Sequence, residues 1–340
     1  MINKTKVLIT GGFGFVGSSI VNKLLKKNKY KIFVIDNLSR VGSENNYYTL
    51  KKKVKFFKYD IGYEKNKIER LIKKIKPDHL FHLAGQVAMS NSLKNPYHDF
   101  IINTLGTVNI LESIRKYSKN TQLIFASSNK VYGDLKNIKY YEKKYRYETK
   151  KRDFSEDTPL NFSTPYGCSK GSADQYVLDY SKVYNLNFTV FRHSTIYGPK
   201  QFFDYNQGWI SWFCEKLINQ KNSKIKIKFS ISGNGKQVRD ILHIDDATEL
   251  YLKSMRYKKR LAGKVFNVGG GFKNSISVLE LIKYLEMKLK VKSYYFNIKE
   301  RTSDQKYFVC NINSILNSIQ WYPKVRLYKG LDDLLKNQKI

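Results

Sequence analysis

A tyrosine and a lysine four positions apart, Tyr166 and Lys170, have the side-chain types and the spacing for proton transfer. Residues four apart lie on one face of a helix, so the phenol and the ammonium point the same way. A free tyrosine has a pKa of about 10, and a base that works near neutrality needs a downward shift of roughly three units. A neighbouring ammonium favours the phenolate. Chance supplies this spacing on many surface helices, so its surroundings must decide whether the pair is catalytic.

Three glycines near the start of the chain, Gly11, Gly14 and Gly17, supply such surroundings. They follow a short apolar run and open an amphipathic stretch, as a phosphate-binding turn between a strand and a helix requires. Glycine permits a tight turn and a close approach of backbone to a pyrophosphate, and the free N–H groups of the helix N-terminus bind its charge. The pattern predicts a dinucleotide site.

Asp36 stands at the end of the second apolar run, nineteen positions after Gly17. A carboxylate there can accept hydrogen bonds from the ribose hydroxyls of the adenosine and would repel a 2′-phosphate. The sequence therefore favours NAD over NADP. Arg40 argues the other way, because an arginine can hold that phosphate.

The elements that must position these residues alternate along the first half of the chain. Short apolar runs stand at 7–9, 32–35, 54–59, 79–83, 123–126 and 188–191, and helical patterns at 18–27, 67–75 and 102–117 lie between them. Such alternation predicts an α/β fold, a Rossmann-type doubly wound parallel sheet with helices on both faces. After about Arg192 the loops lengthen and aromatic residues cluster, which predicts a smaller mixed α/β lobe for the substrate. We expect the NAD-binding domain to comprise 1–191 plus about 241–268, with 265–268 returning to the main sheet, and the lobe to comprise about 192–240 plus 269–340.

Composition narrows the classes of function. The 340 residues carry a formal charge of +34, but the lysines are spread along the chain, so no nucleic-acid partner is expected. Cys168, Cys214 and Cys310 lie far apart, without the spacing of a zinc site, and no metal is expected. No apolar run is long enough for a membrane span, and the N-terminus lacks the layout of a signal peptide, which together favour a cytoplasmic location.

The glycine turn, Asp36 and the Tyr166–Lys170 pair together resemble the extended short-chain dehydrogenase/reductase family. Further segments along nearly the whole chain resemble motifs of that family: His82–Gly85, Asn103 with Gly106 and Thr107, Ser127–Gly133, Arg192–Gly198, Gly233–Asp240, His243–Asp246, and Arg301 with Asp304.

The resemblance implies a role for each matching residue. The catalytic group would be Ser128, Tyr166 and Lys170, with the lysine also holding the nicotinamide ribose, and the enzyme would form a homodimer or homotetramer. The residues implied to bind NAD are Gly11, Gly14, Phe15, Val16, Gly17, Asp36, Asn37, Ser39, Arg40, Asp60, Ile61, Leu83, Ala84, Gly85, Gln86, Asn103, Tyr166, Lys170 and His193. Those implied to bind a nucleotide sugar are Gln86, Ser128, Asn129, Lys130, Thr195, Gln207, Gly208, Gln237, Arg239, Arg301 and Asp304.

Within that family the chain is most similar to the 2-epimerases of CDP-linked dideoxyhexoses. The likeness implies oxidation of a sugar hydroxyl to a transient keto group, rotation of the sugar and reduction on the other face. Two departures bear on this reading. Sugar-nucleotide dehydratases carry an acidic pair after the catalytic threonine, where this chain has Asn129 and Lys130, and Thr195 replaces an asparagine of many relatives.

Other functions stay open from the sequence. A 4-epimerase of the UDP-glucose type, a 2-epimerase of CDP- or GDP-glucose and a one-way reductase would share the same catalytic group. A non-enzymatic binding protein on the same fold commonly lacks the tyrosine or the lysine, and this chain has both.

Overall fold

The computed structural model describes residues 4–202 and 208–337. The strands are β1 (Thr5–Thr10), β2 (Tyr30–Ile35), β3 (Lys55–Phe57), β4 (His79–His82), β5 (Gln122–Ser128), β6 (Tyr140–Glu142), β7 (Tyr147–Thr149), β8 (Asn187–His193), β9 (Thr195–Tyr197), β10 (Lys228–Ser232), β11 (Val238–His243), β12 (Lys264–Val268), β13 (Ser275–Ser277), β14 (Tyr294–Ile298) and β15 (Tyr307–Phe308). The helices are α1 (Phe15–Leu25), α2 (Ser43–Leu50), α3 (Lys65–Ile75), α4 (Met89–Lys94), α5 (Pro96–Phe100), α6 (Gly106–Tyr117), α7 (Pro165–Val183), α8 (Trp209–Asn222), α9 (Ile244–Ser254), α10 (Lys258–Leu261), α11 (Val278–Leu289), α12 (Asn313–Ile319) and α13 (Leu327–Asn337).

Seven parallel strands form the central sheet in the order β12-β8-β5-β4-β1-β2-β3. The chain winds outward from β1 through β2 to β3, and then crosses to β4 on the other side of β1. Ligands of such sheets bind beyond the carboxyl ends of the strands at this reversal. The arrangement confirms the predicted doubly wound α/β fold, including the return of 265–268 to the sheet as part of β12.

Both faces of this sheet are buried. Along β1, Val7 and Ile9 pack into one apolar cluster while Leu8 packs into a second on the opposite face, and all three are fully buried. Successive side chains of a strand point to opposite faces, so a strand covered on both sides needs apolar residues at consecutive positions.

Smaller sheets lie outside the central one. Strand β11 pairs with β9, β13 and β15, and β10 pairs with β14. A third apolar cluster joins residues of α8, α11 and α13 to these strands. The hairpin of β6 and β7 lies between Gly133 and Tyr166. The expected boundaries between domain and lobe stay a prediction.

Most predicted elements agree with the structure to within about two residues at each end, and three differences bear on the site. The pattern predicts a single helix over 102–117, whereas in the structure a π-helical segment, Ile101–Leu105, joins α5 to α6. Helix α1 begins at Phe15, three residues before the expected start, because the glycine turn leads directly into it. Strand β3 covers three residues of the expected 54–59, as an edge strand that leaves the sheet at Phe57.

No helix in the described ranges has both the length and the apolar character that crossing a bilayer requires.

Candidate active site

The first turn of α7 fixes the position of Tyr166. The side chain of Thr164 caps the helix by accepting a hydrogen bond from the backbone N–H of Gly167 at 3.1 Å, and Pro165 occupies the first helical position. Both features are typical helix starts. Lys170 follows one turn later, so phenol and ammonium lie on the same side of the helix, as predicted.

Burial sets the protonation of both groups. It raises the pKa of Tyr166 to about 12, although a hydrogen bond with the Ser128 side chain acts in the opposite direction. It lowers the pKa of Lys170 to about 8, and the ammonium lies 4.5 Å from the centroid of the Phe125 ring. Without a bound ligand the phenol of Tyr166 therefore stays protonated at neutral pH. Base function at Tyr166 requires a further positive charge in the site.

Ser128 ends β5 at the carboxyl edge of the central sheet. Its hydroxyl accepts a hydrogen bond from the backbone N–H of Lys130 at 3.2 Å, which caps a short 3-10 turn over Asn129–Tyr132. The serine is thus held at a strand end, and its side chain acts to lower the pKa of Tyr166.

The glycine turn forms the cradle expected for a pyrophosphate. Gly11 has φ +68°, and a Cβ there would lie 2.8 Å from the backbone nitrogen of Ala84. A Cβ on Gly17 would lie 2.2 Å from the carbonyl oxygen of Gly11. Only glycine satisfies both constraints, and α1 begins directly after the turn, with its N-terminal N–H groups available to an anion.

Asp36 connects the second strand to this turn. One carboxylate oxygen accepts from the backbone N–H of Phe13 at 2.9 Å, and the other accepts from the N–H of Leu38 at 2.9 Å. Each oxygen keeps acceptor capacity for a ribose hydroxyl. Burial raises the pKa of this carboxyl, and the two backbone bonds oppose that rise.

His193 provides an independent sign that a ligand belongs here. Its Nε2 lies 2.8 Å from the Tyr251 hydroxyl, whereas Nδ1 is buried without a hydrogen-bond partner among the described residues. The ring lines the cleft. A buried polar atom without a partner costs about 1–3 kcal/mol, and a bound ligand can relieve that cost. Together with the glycine cradle and Asp36, this fits a dinucleotide.

Three cations surround one carboxylate farther along the cleft. Asp304 contacts Arg239 at 2.6 Å and Lys130 at 3.3 Å. Burial acts to raise the pKa of Asp304, but Arg239 and Lys130 outweigh it and hold the pKa below its usual value. Arg301 adds a third positive charge that acts on the same carboxylate. Three cations and one carboxylate leave a net charge of +2 in this part of the cleft. That charge matches the roughly two negative charges of a nucleoside diphosphate ester.

A single cleft of about 750 Å³ brings these groups together. That volume lies in the range of small-molecule sites. The predicted residues that line it are Gly11, Gly14, Phe15, Val16, Gly17, Asp36, Asn37, Ser39, Arg40, Asp60, Ile61, Leu83, Ala84, Gly85, Gln86, Ser128, Asn129, Lys130, Tyr166, Lys170, His193, Thr195, Gly208, Gln237, Arg239, Arg301 and Asp304. Gln207 lies outside the described residues.

Asn103, expected to bind the cofactor, is not among the residues that line the cleft. It is buried behind the wall, where its amide oxygen accepts from the backbone N–H of Gln86 at 2.9 Å and its amide nitrogen donates to the Gln86 carbonyl at 3.0 Å. The π-helical segment places it there. In this structure Asn103 supports the turn that lines the cleft.

The family follows from comparison of the whole sequence. The profile of the NAD dependent epimerase/dehydratase family matches residues 7–269. The chain belongs to that family. It is therefore an enzyme with NAD as its cofactor.

Relatives within the family match nearly the full chain. The chain is 47% identical to the CDP-paratose 2-epimerase of Salmonella typhi, over 97% of this chain and 98% of the relative. It is 31% identical to a putative UDP-glucose 4-epimerase of Methanocaldococcus jannaschii, over 96% of this chain and 95% of that protein. The UDP-glucose 4-epimerase of Thermus thermophilus, solved in complex with NAD, superimposes with a TM-score of 0.80 at 26% identity and covers 98% of both chains.

Sequence reasoning did not identify three buried polar residues of this NAD-dependent enzyme, Gln305, Asp99 and Ser169. Gln305 follows Asp304 directly, and Ser169 precedes Lys170, so adjacency to predicted residues was the available signal. Asp99 lies four residues before Asn103, and only the contacts around it identify its place in the site.

Proposed function

We propose that this enzyme epimerises a nucleotide sugar, with a CDP-linked dideoxyhexose as substrate and C2 as the inverted carbon. The observation that supports this most is the 47% identity to a CDP-paratose 2-epimerase over essentially the full length of both chains. The cleft supplies the matching chemistry, because Tyr166, Ser128 and Lys170 lie beside the glycine turn and two net positive charges lie beyond them.

In this proposal Tyr166 takes the proton from the sugar hydroxyl as that hydroxyl becomes a carbonyl. Ser128 orients the hydroxyl and acts to lower the pKa of the phenol, and a protonated Lys170 on the same helix face favours the phenolate. NAD, when bound, supplies reversible hydride chemistry at the same carbon. Once the keto sugar has turned, the carbonyl carbon regains its hydride on the other face and Tyr166 returns the proton to the oxygen, so the reaction involves no net oxidation.

The chain's own residues would hold both ligands. The glycine turn and Asp36 would bind the adenosine half of NAD, and Lys170 would bind the nicotinamide ribose. Arg239 and Arg301 would hold the substrate diphosphate, because guanidinium groups match its oxygens. We further propose the domain and lobe boundaries predicted above, a homodimer or homotetramer, and a cytoplasmic location.

The absence of an acidic pair after Ser128 argues against dehydration. Asn129 and Lys130 occupy those positions, and the Lys130 ammonium is held by Asp304. Elimination of water from a keto sugar is assisted by a general acid that protonates the leaving hydroxyl, and sugar-nucleotide dehydratases carry an acidic pair at these positions. A lysine ammonium next to a carboxylate instead favours binding of an anion.

A UDP-glucose 4-epimerase is the second candidate. The 31% identity to a putative UDP-glucose 4-epimerase over 96% of the chain favours it, and 4-epimerases use the same catalytic group. The two candidates differ in the base, the sugar and the carbon inverted.

Product analysis distinguishes them. The enzyme is incubated with NAD and with CDP-paratose, CDP-glucose or UDP-glucose separately, and products are assigned by NMR. We expect inversion at C2 of CDP-paratose, and loss of turnover by a factor on the order of 10² to 10⁴ in Tyr166→Phe. Exclusive conversion of UDP-glucose at C4 would refute the substrate assignment, and full activity of Tyr166→Phe would refute the catalytic assignment.

A further inference from the structure

A buried carboxylate behind the cleft is unused by the mechanism above. Asp99 lies on α5 and is fully buried. One oxygen accepts a hydrogen bond from the side-chain amide of Gln86 at 2.6 Å, and the other accepts from the hydroxyl of Ser169. Gln86 belongs to the turn after β4 that lines the cleft, and Ser169 precedes Lys170 on α7.

Asn103 closes this group into one network. Its amide nitrogen donates to Ser169 Oγ at 3.0 Å as well as to the backbone of Gln86. A Cβ on Gly85, in the same turn, would lie 2.8 Å from the Asn103 amide oxygen and 3.5 Å from the Lys170 ammonium. The turn at Gly85 is therefore packed closely against Asn103 and Lys170.

The charge of Asp99 acts on both members of the catalytic pair. It contributes to raising the pKa of Tyr166, and it opposes the lowering of the Lys170 pKa by burial. The carboxylate thus favours the protonated form of Lys170, which burial disfavours, and it makes the phenolate of Tyr166 harder to form.

Other charged groups on the helices packed around Asp99 do not cancel its influence on the pKa values of Tyr166 and Lys170. On α7, Asp174 also acts on Lys170, but it pairs with Arg192 at 2.8 Å. The charged side chain of α4, Lys94, is exposed, as is His98 on α5 itself. The π-helical segment after α5 carries no charged residue.

We propose that Asp99 is a positioning residue of the epimerase reaction, whose carboxylate holds Ser169, the neighbour of Lys170, and the Gly85–Gln86 turn as one unit and sets the pH range of turnover. This inference rests on the proposed roles of Tyr166 and Lys170. Asp99 acts through Ser169, Gln86 and its charge, and it does not reach the cleft.

The decisive experiment compares the pH dependence of kcat for wild type and Asp99→Asn with NAD and CDP-paratose. Removing the negative charge lowers the pKa of Tyr166 and of Lys170, so we expect both limbs of the pH profile to move to lower pH, by about one unit. A structural defect alone lowers kcat at every pH and leaves both limbs in place. Calorimetric titration with NAD checks that Asp99→Asn still binds the cofactor within about twofold of wild type at pH 7.

Ser169→Ala is the matched variant, because it removes a hydrogen bond to Asp99 and keeps the charge. We expect a lower kcat with unmoved limbs. Should Asp99→Asn fail to fold, Asp99→Glu tests the same idea, since it keeps the charge and should keep the profile while lowering kcat. A folded Asp99→Asn with the wild-type profile, or a shifted profile in Asp99→Glu, overturns the proposal. Absence of wild-type turnover on every sugar nucleotide would count against the proposed function instead.

Discussion

The side-chain amide of Asn129 donates a hydrogen bond to the side-chain oxygen of Gln305 at 2.9 Å, which joins residues 176 positions apart in the sequence. Gln305 in turn donates to the carbonyl oxygen of Gly133 at 2.7 Å. The loop that carries Arg301 and Asp304 is therefore bonded to the turn that follows Ser128. Groups proposed to bind the diphosphate and the group proposed to act on the sugar are fixed to each other.

Gln305→Leu should lower kcat more than it changes KM. The substitution removes the partner of the Asn129 side-chain amide and of the carbonyl oxygens of Asn129 and Gly133, at a cost of about 1–3 kcal/mol in unfolding free energy. The turn then no longer fixes Ser128, and we expect kcat to fall roughly tenfold, because small displacements of catalytic groups are costly. Steady-state kinetics and urea unfolding measure the two effects. The double variant Asn129→Leu/Gln305→Leu should lose less stability than the two single losses added together, and strict additivity would contradict the coupling.

Arg239→Gln should weaken substrate binding and leave the chemistry intact. Hydrogen bonds to charged groups contribute about 1.5–3 kcal/mol, so KM should rise by roughly 10- to 100-fold with little change in kcat. Arg239→Lys keeps the positive charge but lacks the planar guanidinium group, so its KM should lie between those of wild type and Arg239→Gln. Arg146→Gln is the control, because Arg146 pairs with Glu280 at 3.3 Å and does not line the cleft. Equal effects of Arg146→Gln and Arg239→Gln would rule out a specific diphosphate contact.

Gly14→Ala and Gly17→Ala should fail for different reasons. A Cβ on Gly17 would lie 2.2 Å from the Gly11 carbonyl oxygen, so that variant should be destabilised even without ligand. A Cβ on Gly14 meets only that same oxygen, at 3.3 Å, and the residue has φ −65°, which alanine adopts readily. We expect Gly14→Ala to melt near the wild-type temperature but to lose affinity for NAD in calorimetric titration. Wild-type affinity in Gly14→Ala would place the pyrophosphate elsewhere.

The central sheet and the residues adjacent to the glycine turn can be predicted from the sequence alone. Buried parallel strands are apolar at consecutive positions, as 7–9 and 32–35 are, and this pattern does not depend on distant parts of the chain. Tyr166 and Lys170 were predictable for the same reason, because both lie on one helix.

The buried hydrogen bonds around Gln305 and Asp99, which support the residues of the cleft, could not be predicted in this way. Gln305 and Asp99 are recognisable only by partners that are distant in the sequence, and a lone buried polar residue has no periodic signal. The π-helical segment at Ile101–Leu105 was missed because its side chains fit an ordinary helical period. The motif around Asn103 predicts cofactor binding, whereas the position of this residue behind the cleft wall depends on the π-helical segment.

Lys170→Met should abolish turnover and yet stabilise the folded chain at neutral pH. Lys170 is 4% exposed, and burial lowers its pKa from 10.5 to about 8. Below pH 8 the folded state holds a buried ammonium, whereas the unfolded state holds a hydrated one. The lowering of the Lys170 pKa corresponds to a loss of about 3 kcal/mol in unfolding free energy at pH 7. This loss is the most that a methionine in its place can recover.

The pH dependence of this gain identifies its cause. Between pH 8 and 10.5 the unfolded chain binds more protons at this lysine than the folded chain does, so wild-type stability rises with pH there. The advantage of Lys170→Met should therefore shrink by about 2 kcal/mol between pH 7 and pH 9.5. Urea unfolding at both pH values measures it. Lys23→Met, at a side chain that is 46% exposed, is the control and should show no such change. If Lys170→Met gains the same unfolding free energy at both pH values, methionine stabilises the protein by packing alone. In that case the buried lysine charge does not destabilise the folded state.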